Sequence, residues 1–84
     1  MVKLLYFARL REDLGTAAEE VALPEGVATV ASLRAHLMAR GGAWASVLAN
    51  GKALRVAVNQ DMADSATPVK AGDEVAFFPP VTGG

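Results

Sequence analysis

The sequence has 84 residues, 52% of them hydrophobic, and its eight Lys and Arg against nine Asp and Glu give a net charge of −1. This length predicts one small domain, and the balanced charge offers no basic surface for nucleic acid or an anionic membrane. With no cysteine and a single histidine, His36, the sequence excludes disulfides, iron–sulfur ligation, thiol nucleophiles and a His/Cys zinc site, so no metal is expected.

The N-terminal segment and the length of the apolar runs indicate the cellular location of the protein. The first residues lead directly into a mixed strand and do not resemble a signal peptide. No apolar run approaches the length of a membrane span. We therefore expect a cytoplasmic protein with no membrane partner.

The first predicted element is a strand over residues 2–10. Its two faces both carry apolar side chains, with Leu4 and Tyr6 on one face and Leu5 and Phe7 on the other. A strand that is apolar on both faces is typical of the centre of a sheet.

A hairpin is predicted next. Residues 11–16 are rich in turn formers and are expected to connect the first strand to an edge strand over residues 19–23. In that edge strand, Val21 and Leu23 point inward and Glu20 points outward.

The main helix is predicted to begin at the N-cap Thr29 and to end at the glycine pair 41–42. Its buried stripe consists of Val30, Leu33 and Leu37. Ser32 occupies the position where a capping box ordinarily has Glu, so the box is expected to be incomplete.

Short elements fill the second half of the chain. They are a turn around residues 44–48, a turn at 50–51, a strand at 54–59, a two-residue strand at 62–63 and a last strand at 74–78. Pro79 ends the last strand because proline cannot donate to the ladder. Residues 60–68 carry no clear pattern, and the sequence assigns them no role.

Two hairpin-like strand pairs on either side of one helix predict an α+β fold. The β-grasp architecture, a mixed sheet wrapped around one main helix, buries all of these apolar faces, with the first and last strands parallel at the centre. We expect residues 1–78 to form this domain and residues 79–84 to form a flexible, extended C-terminal tail.

No catalytic group stands out within the domain. The glycine pair 41–42 follows a helix, which indicates a C-cap and not a phosphate cradle. His36 has no motif relation to a Ser, Asp or Glu and is expected to be a partly exposed helix residue. We expect no bound cofactor and no active site inside this fold.

An exposed apolar patch is predicted beside the tail. If Val75 and Phe77 fill the core, then Leu5, Phe7 and Phe78 face the other way. The alternative is that a loop or helix of the same chain covers them. Monomers seldom leave such a patch bare, so a partner surface is the favoured interpretation.

The last six residues form the most informative segment, and they are Pro79, Pro80, Val81, Thr82, Gly83 and Gly84. The two prolines favour an extended exit, and the two glycines pass through a channel no wider than a backbone. This build suits delivery of the terminal carboxylate into the active site of another protein. Adenylation would convert that carboxylate into an electrophile for an amine, a thiol or a sulfide, and a sulfide donor would leave a thiocarboxylate on Gly84.

At this point the chain resembles the small, sulfur-carrier subunits of molybdopterin synthase. The matching segments are Phe7-Ala8, Arg11-Glu12, Gly15, Val58-Asn59-Gln60 and the closing run 72–84, which reads GDEVAFFPPVTGG. The closing run is specific, whereas a terminal Gly-Gly alone is shared with ubiquitin-like modifiers and with the sulfur carrier of thiazole synthesis.

The resemblance implies a ubiquitin-like β-grasp subunit without catalytic residues of its own. It implies that an ATP-dependent activating enzyme adenylates Gly84, that a sulfur donor protein supplies sulfur, and that the tail enters the large subunit to sulfurate cyclic pyranopterin monophosphate. It also places Arg11, Met62 and Phe78 at the contact with the large subunit, in an assembly of two small and two large subunits.

Two alternatives remain from the residues alone. One is a ubiquitin-like modifier, in which activated Gly84 acylates a lysine, and the other is an interaction module whose tail docks without chemistry. Lysine conjugates in cell extract would favour the modifier. A C-terminus that never changes in an ATP-dependent manner would favour the interaction module.

Overall fold

The computed structural model describes residues 1–49 and 54–79. The turn predicted at 50–51 and the tail residues 80–84 lie outside these ranges. The elements are β1 (Val2–Tyr6), α1 (Arg9–Leu14), β2 (Ala18–Val21), α2 (Val30–Met38), α3 (Gly42–Val47), β3 (Arg55–Val58), β4 (Asp61–Ala63) and β5 (Glu74–Phe78).

The five strands form one mixed sheet in the order β2-β1-β5-β3-β4. The first and last strands lie side by side and parallel, with Leu4 opposite Val75 and Tyr6 opposite Phe77. The other three pairs are antiparallel. The predicted α+β class, the β-grasp arrangement and the central pairing of β1 with β5 are confirmed.

Helix α2 supplies the other half of the core. The predicted apolar stripe of α2 consists of Val30, Leu33 and Leu37. These three side chains are buried in one cluster with the inward side chains of β1, β3 and β5. Tyr6 stacks on Phe77 with 5.9 Å between ring centroids. The sheet therefore has one face closed by helix, which we call the inner face, and an opposite outer face.

The first strand is shorter than predicted, and a helix replaces the predicted connection at 11–16. The chain turns at Ala8 (φ 52°, ψ −127°), where the carbonyl of Phe7 accepts a hydrogen bond from the amide of Leu10 at 3.1 Å. One helical turn then buries Leu10, and Gly15 ends α1 in the left-handed conformation. Leu10 and Leu14, four residues apart and followed by glycine, carried this helical signal.

The capping box of α2 is complete, which corrects the prediction. The Ser32 amide donates to Thr29 Oγ1 at 3.2 Å, and Ser32 Oγ accepts from the Thr29 amide at 2.9 Å. The Ser32 hydroxyl therefore accepts the hydrogen bond from the N-cap amide that a glutamate carboxylate ordinarily accepts in a capping box. The helix ends at Met38, earlier than the predicted glycine pair, and Gly41 instead precedes α3.

The turn predicted at 44–48 is part of helix α3, and the remaining strands differ from prediction by a few residues. Strand β2 covers 18–21, β3 begins at Arg55, and β4 has three residues. Asn59 and Gln60, both with positive φ, form the two-residue turn between β3 and β4. Asn59 Nδ2 also donates to Asp73 Oδ1 at 3.0 Å, which ties this turn to the start of β5.

A polar clasp joins the edge strand β2 to the helices. Glu19 accepts two hydrogen bonds from Arg40, at 2.9 and 3.0 Å, and one from the buried hydroxyl of Tyr6 at 2.9 Å. The Arg40 guanidinium lies 4.4 Å from the centre of the Trp44 ring. The bond from Arg40 holds the pKa of Glu19 below its usual range, and burial raises the pKa of the Tyr6 hydroxyl, as does its bond to Glu19.

Candidate partner surface

The outer face of the sheet presents an apolar row that crosses four strands. The register places Leu5 opposite Ala76, Ala76 opposite Ala57, and Ala57 opposite Met62. Paired residues of neighbouring strands point to the same side of a sheet. Met62 is 64% exposed, while the two alanines between the larger residues are almost covered and lie outside the core cluster.

An aromatic pair stands at the end of this face from which the tail departs. The rings of Phe7 and Phe78 are parallel within 5° and 4.8 Å apart, and Phe7 is 41% exposed. The Phe7 amide donates to the carbonyl of Phe77 at 3.2 Å, so the end of β1 is fixed to β5 one residue before Phe78. Pro79 follows directly, which places the root of the tail beside the aromatic pair.

The alternation along β5 is the one predicted from the sequence. Val75 and Phe77 have no exposed surface and belong to the core, whereas Phe78 is half-buried on the outer face. The predicted patch of Leu5, Phe7 and Phe78 therefore exists as a geometric feature. Its role as a contact with another protein remains a prediction.

The two other predicted contact residues are located apart from the aromatic pair. Met62 lies on β4 at the opposite edge of the apolar row. Arg11 is exposed on α1, which begins two residues after Phe7, and it forms no ion pair with any residue of the described ranges.

The sequence reasoning placed Ala76 on the same face as Phe78, but it did not include Ala57 or Arg55 in the predicted surface. Ala57 and Ala76 form the floor of the apolar row, and Arg55 is paired with Phe78. The alternation of β3 and β5 indicates that all three side chains point outward, since residues next to core positions in a strand do so. The position of Arg55 beside Phe78 depends in addition on the pairing of β3 with β5.

The described residues supply few groups for chemistry. Within them, no group of three His, Cys, Asp or Glu side chains could hold a metal ion. Asp73 is buried, and hydrogen bonds from Asn59 and from the Lys70 amide lower its pKa, which fits a carboxylate that fixes the turn before β5. None of the helices in 1–49 and 54–79 has the length and apolarity needed to cross a membrane.

Comparison with known proteins adds the family. Residues 4–84 match the model of the ThiS family, which is nearly the whole chain. The chain belongs to the ThiS family. This ThiS-family chain is also 51% identical to the molybdopterin synthase sulfur carrier subunit of Escherichia coli, over 100% of both chains. The resemblance inferred from the closing run is thereby confirmed.

Solved structures of the same fold include proteins of at least two kinds. One is small archaeal modifier protein 1 of Haloferax volcanii, with 30% identity, a TM-score of 0.78, and coverage of 95% of this chain and 97% of that chain. Another is the protein–protein complex of subunits 1 and 2 of the molybdopterin-converting factor from Helicobacter pylori, with 25% identity, a TM-score of 0.63, and coverage of 99% and 97%.

Proposed function

We propose that this protein is the sulfur-carrier subunit of a molybdopterin synthase. The observation that carries the proposal is the closing run 72–84 in its structural setting. Strand β5 runs at the centre of the sheet and ends beside an exposed aromatic pair, and the sequence continues from Pro79 to the Gly-Gly end. The full-length similarity to a sulfur carrier subunit from Escherichia coli supports the same function.

The proposed chemistry takes place on the carboxylate of Gly84. A carboxylate is a poor electrophile, so an activating enzyme first joins it to AMP from ATP and releases pyrophosphate. Sulfide delivered by a sulfur donor protein then attacks the acyl carbon and displaces AMP, which leaves a thiocarboxylate on Gly84. The chain has no cysteine, so the terminal carboxyl group is the place in this protein where sulfur could be carried as a reactive acyl species.

Transfer takes place in the large subunit. The residues proposed to enter its active site are Pro79, Pro80, Val81, Thr82, Gly83 and Gly84, with residues 1–78 acting as the domain that docks. The sulfur passes to cyclic pyranopterin monophosphate, and hydrolysis at the acyl carbon returns Gly84 to a carboxylate. A dithiolene needs two sulfur atoms, so two loaded carriers each deliver one sulfur for every product molecule. This stoichiometry suits an assembly of two small and two large subunits, which we place in the cytoplasm.

The outer face is proposed to hold the large subunit. Leu5, Phe7 and Phe78 would form the apolar centre of the contact, with Arg11 and Met62 at its margins. Aromatic side chains and Met are enriched at the fully buried centre of an interface relative to the rest of the surface.

Mass spectrometry of the intact protein tests the proposed chemistry. After incubation with the activating enzyme, ATP and a sulfur donor, we expect a mass gain equal to the replacement of one oxygen by one sulfur, located on Gly84. The gain should disappear when the large subunit and the pterin precursor are added. A chain extended by one residue after Gly84 is the control, and it should fold normally and remain unloaded.

The similarity to an archaeal modifier protein favours ubiquitin-like conjugation as the second candidate function. The same experiment separates the two. Loaded Gly84 that ends in an amide bond to a lysine of another protein would indicate the modifier. Labelled sulfur reaching the pterin from a carrier truncated before Gly83 would contradict the proposed role of Gly84 as sulfur carrier. A terminus that never changes with ATP would indicate an interaction module.

A further inference from the structure

Arg55 stands beside the aromatic pair, and no part of the proposed function uses it. Its Cα is paired with that of Phe78 across β3 and β5, so its side chain is on the outer face next to the Phe7–Phe78 stack. We propose that Arg55 binds a carboxylate of the protein that covers the outer face, and thereby selects that partner by charge. This inference rests on the proposed function, in which that protein is the large subunit of the synthase.

Arg55 differs from three other arginines, which have partners within the domain. Both terminal nitrogens of the Arg40 guanidinium donate hydrogen bonds to Glu19. Arg34 donates from Nε to the carbonyl of Leu48 at 2.6 Å. Arg9 pairs with Asp13 one turn along α1. Arg55 is exposed and forms neither a hydrogen bond nor an ion pair with any residue of 1–49 or 54–79.

The acid brought closest to Arg55 by the strand register is engaged elsewhere. Val56 is paired with Ala63, so the next position places Asp64 opposite Arg55. However, Asp64 Oδ1 accepts hydrogen bonds from the Ala66 amide at 2.9 Å and from Thr67 Oγ1 at 3.3 Å. Its carboxylate is therefore directed into its own loop.

The two ends of the outer face differ in charge. At the start of β5, Glu74 is paired with Lys3, so opposite charges lie side by side. At the end of β5, Arg55 is paired with Phe78 and brings a positive charge without a paired acid. A partner that covers this end must supply a negative group, since burying an unpaired guanidinium costs free energy.

The chemistry of arginine fits a carboxylate at such a site. Its planar guanidinium presents parallel N–H donors that match the two oxygens of a carboxylate, and it is more weakly hydrated than an ammonium group. Arginine next to aromatic residues is also the composition typical of interface hot spots. At the margin of an apolar contact, such a pair acts mainly on the rate of association and on its salt dependence.

Association with the large subunit from the same organism tests the inference. The rate and equilibrium constants would be measured for the wild type, Arg55→Glu and Lys70→Glu at low and high ionic strength. Lys70→Glu is the matched control, because it makes the same charge change at an exposed position in the turn before β5, at the opposite end of that strand. Thermal unfolding of each isolated variant checks folding, and if Arg55→Glu is unfolded, Arg55→Gln and Lys70→Gln replace the two charge-reversal variants.

We expect Arg55→Glu to lower the association rate at low salt by about ten-fold, and Lys70→Glu to change it by less than about two-fold. The difference between the two should shrink at high salt, because ions screen exposed charges. Equal effects of the two variants, or a loss that does not depend on salt, would overturn the inference.

Phe78→Asp, measured alongside, separates this inference from the proposed function. If Phe78→Asp leaves association intact, the outer face is not the contact and the proposed interface fails. If Phe78→Asp abolishes association while Arg55→Glu matches its control, the interface stands and the role of Arg55 is wrong.

Discussion

Both faces of the sheet carry apolar side chains, but the faces differ in how far those side chains are covered. On the inner face, Val75 and Phe77 are fully buried beneath α2. On the outer face, Phe7 and Met62 remain exposed, and Phe78 is half-buried. Within the described residues, Phe7 is the one aromatic side chain that stacks on Phe78. Apolar content in a strand therefore does not distinguish a position in the core from one kept for another protein.

What distinguishes the two faces is the presence of elements that cross them. The helix and the polar clasp of Glu19 and Arg40 close the inner face. At the centre of the outer face lie two small residues, Ala57 and Ala76, which are almost covered, while Phe7 and Met62 on either side of them remain exposed. The inner face should therefore respond to mutation through stability, and the outer face through association.

The strongest test of this comparison uses the neighbouring residues Phe77 and Phe78. Phe77→Ala should lower the free energy of unfolding by about 3–5 kcal/mol, because it leaves a cavity in the core. Phe78→Ala should cost about 1 kcal/mol, the value of a partly exposed aromatic pair. Urea denaturation of both variants measures the difference, and equal losses would mean that the outer face is covered within the chain.

A smaller effect is expected at the clasp. Glu19→Gln should lower the free energy of unfolding at neutral pH by about 1–2 kcal/mol, since it removes charge-assisted hydrogen bonds that are partly screened by solvent. Glu20→Gln is the matched control, because Glu20 is the exposed neighbour on the same strand, and it should have an effect within about 0.5 kcal/mol.

The clasp also predicts how stability depends on pH. Arg40 lowers the pKa of Glu19 in the folded state, so the unfolded chain binds protons more readily than the folded chain. The contribution of Glu19 is therefore complete above its unfolded pKa, about 4.3, and is lost as the pH falls through the lower folded value. Acid titration of stability should show a smaller loss for Glu19→Gln than for wild type, with Asp73 providing part of what remains.

The smallest effect is expected at the turn that joins the two faces. Ala8 has a positive φ between outward Phe7 and inward Leu10, a conformation that glycine adopts more easily. Ala8→Gly should raise stability by about 0.5–1 kcal/mol. Ala22→Gly, at an exposed position without positive φ, should lower it by a similar amount because glycine gains more entropy on unfolding. Thermal melts would show opposite signs, and a loss for Ala8→Gly would mean that the turn is not strained.

The main features of the fold followed from local patterns. Period-two alternation fixed which residues of β1 and β5 face the core, and the spacing of Val30, Leu33 and Leu37 fixed the buried side of α2. The short helices α1 and α3 were missed, because six residues give too few turns for a helical period to exceed the turn signal of nearby glycine and acidic residues.

The candidate site was predictable in part. Leu5, Phe7 and Phe78 were found because they alternate with core residues, and the Gly-Gly end was visible as sequence. Arg55 was not found, because its position beside Phe78 depends on a strand pairing between distant parts of the chain. Burial and pairing across strands are properties of the folded arrangement, so they cannot be predicted from any short segment of the sequence.

The sequence by itself determined the fold class, the absence of a thiol and the identity of the last residues, because each of these depends on residue type and spacing along the chain. The tertiary structure decided which apolar face stays open, how Glu19 becomes the acceptor for Tyr6 and Arg40, and which arginine stands at the root of the tail. These features arise from contacts between residues far apart in the chain, and the free energy of such contacts depends on the packing of the whole domain.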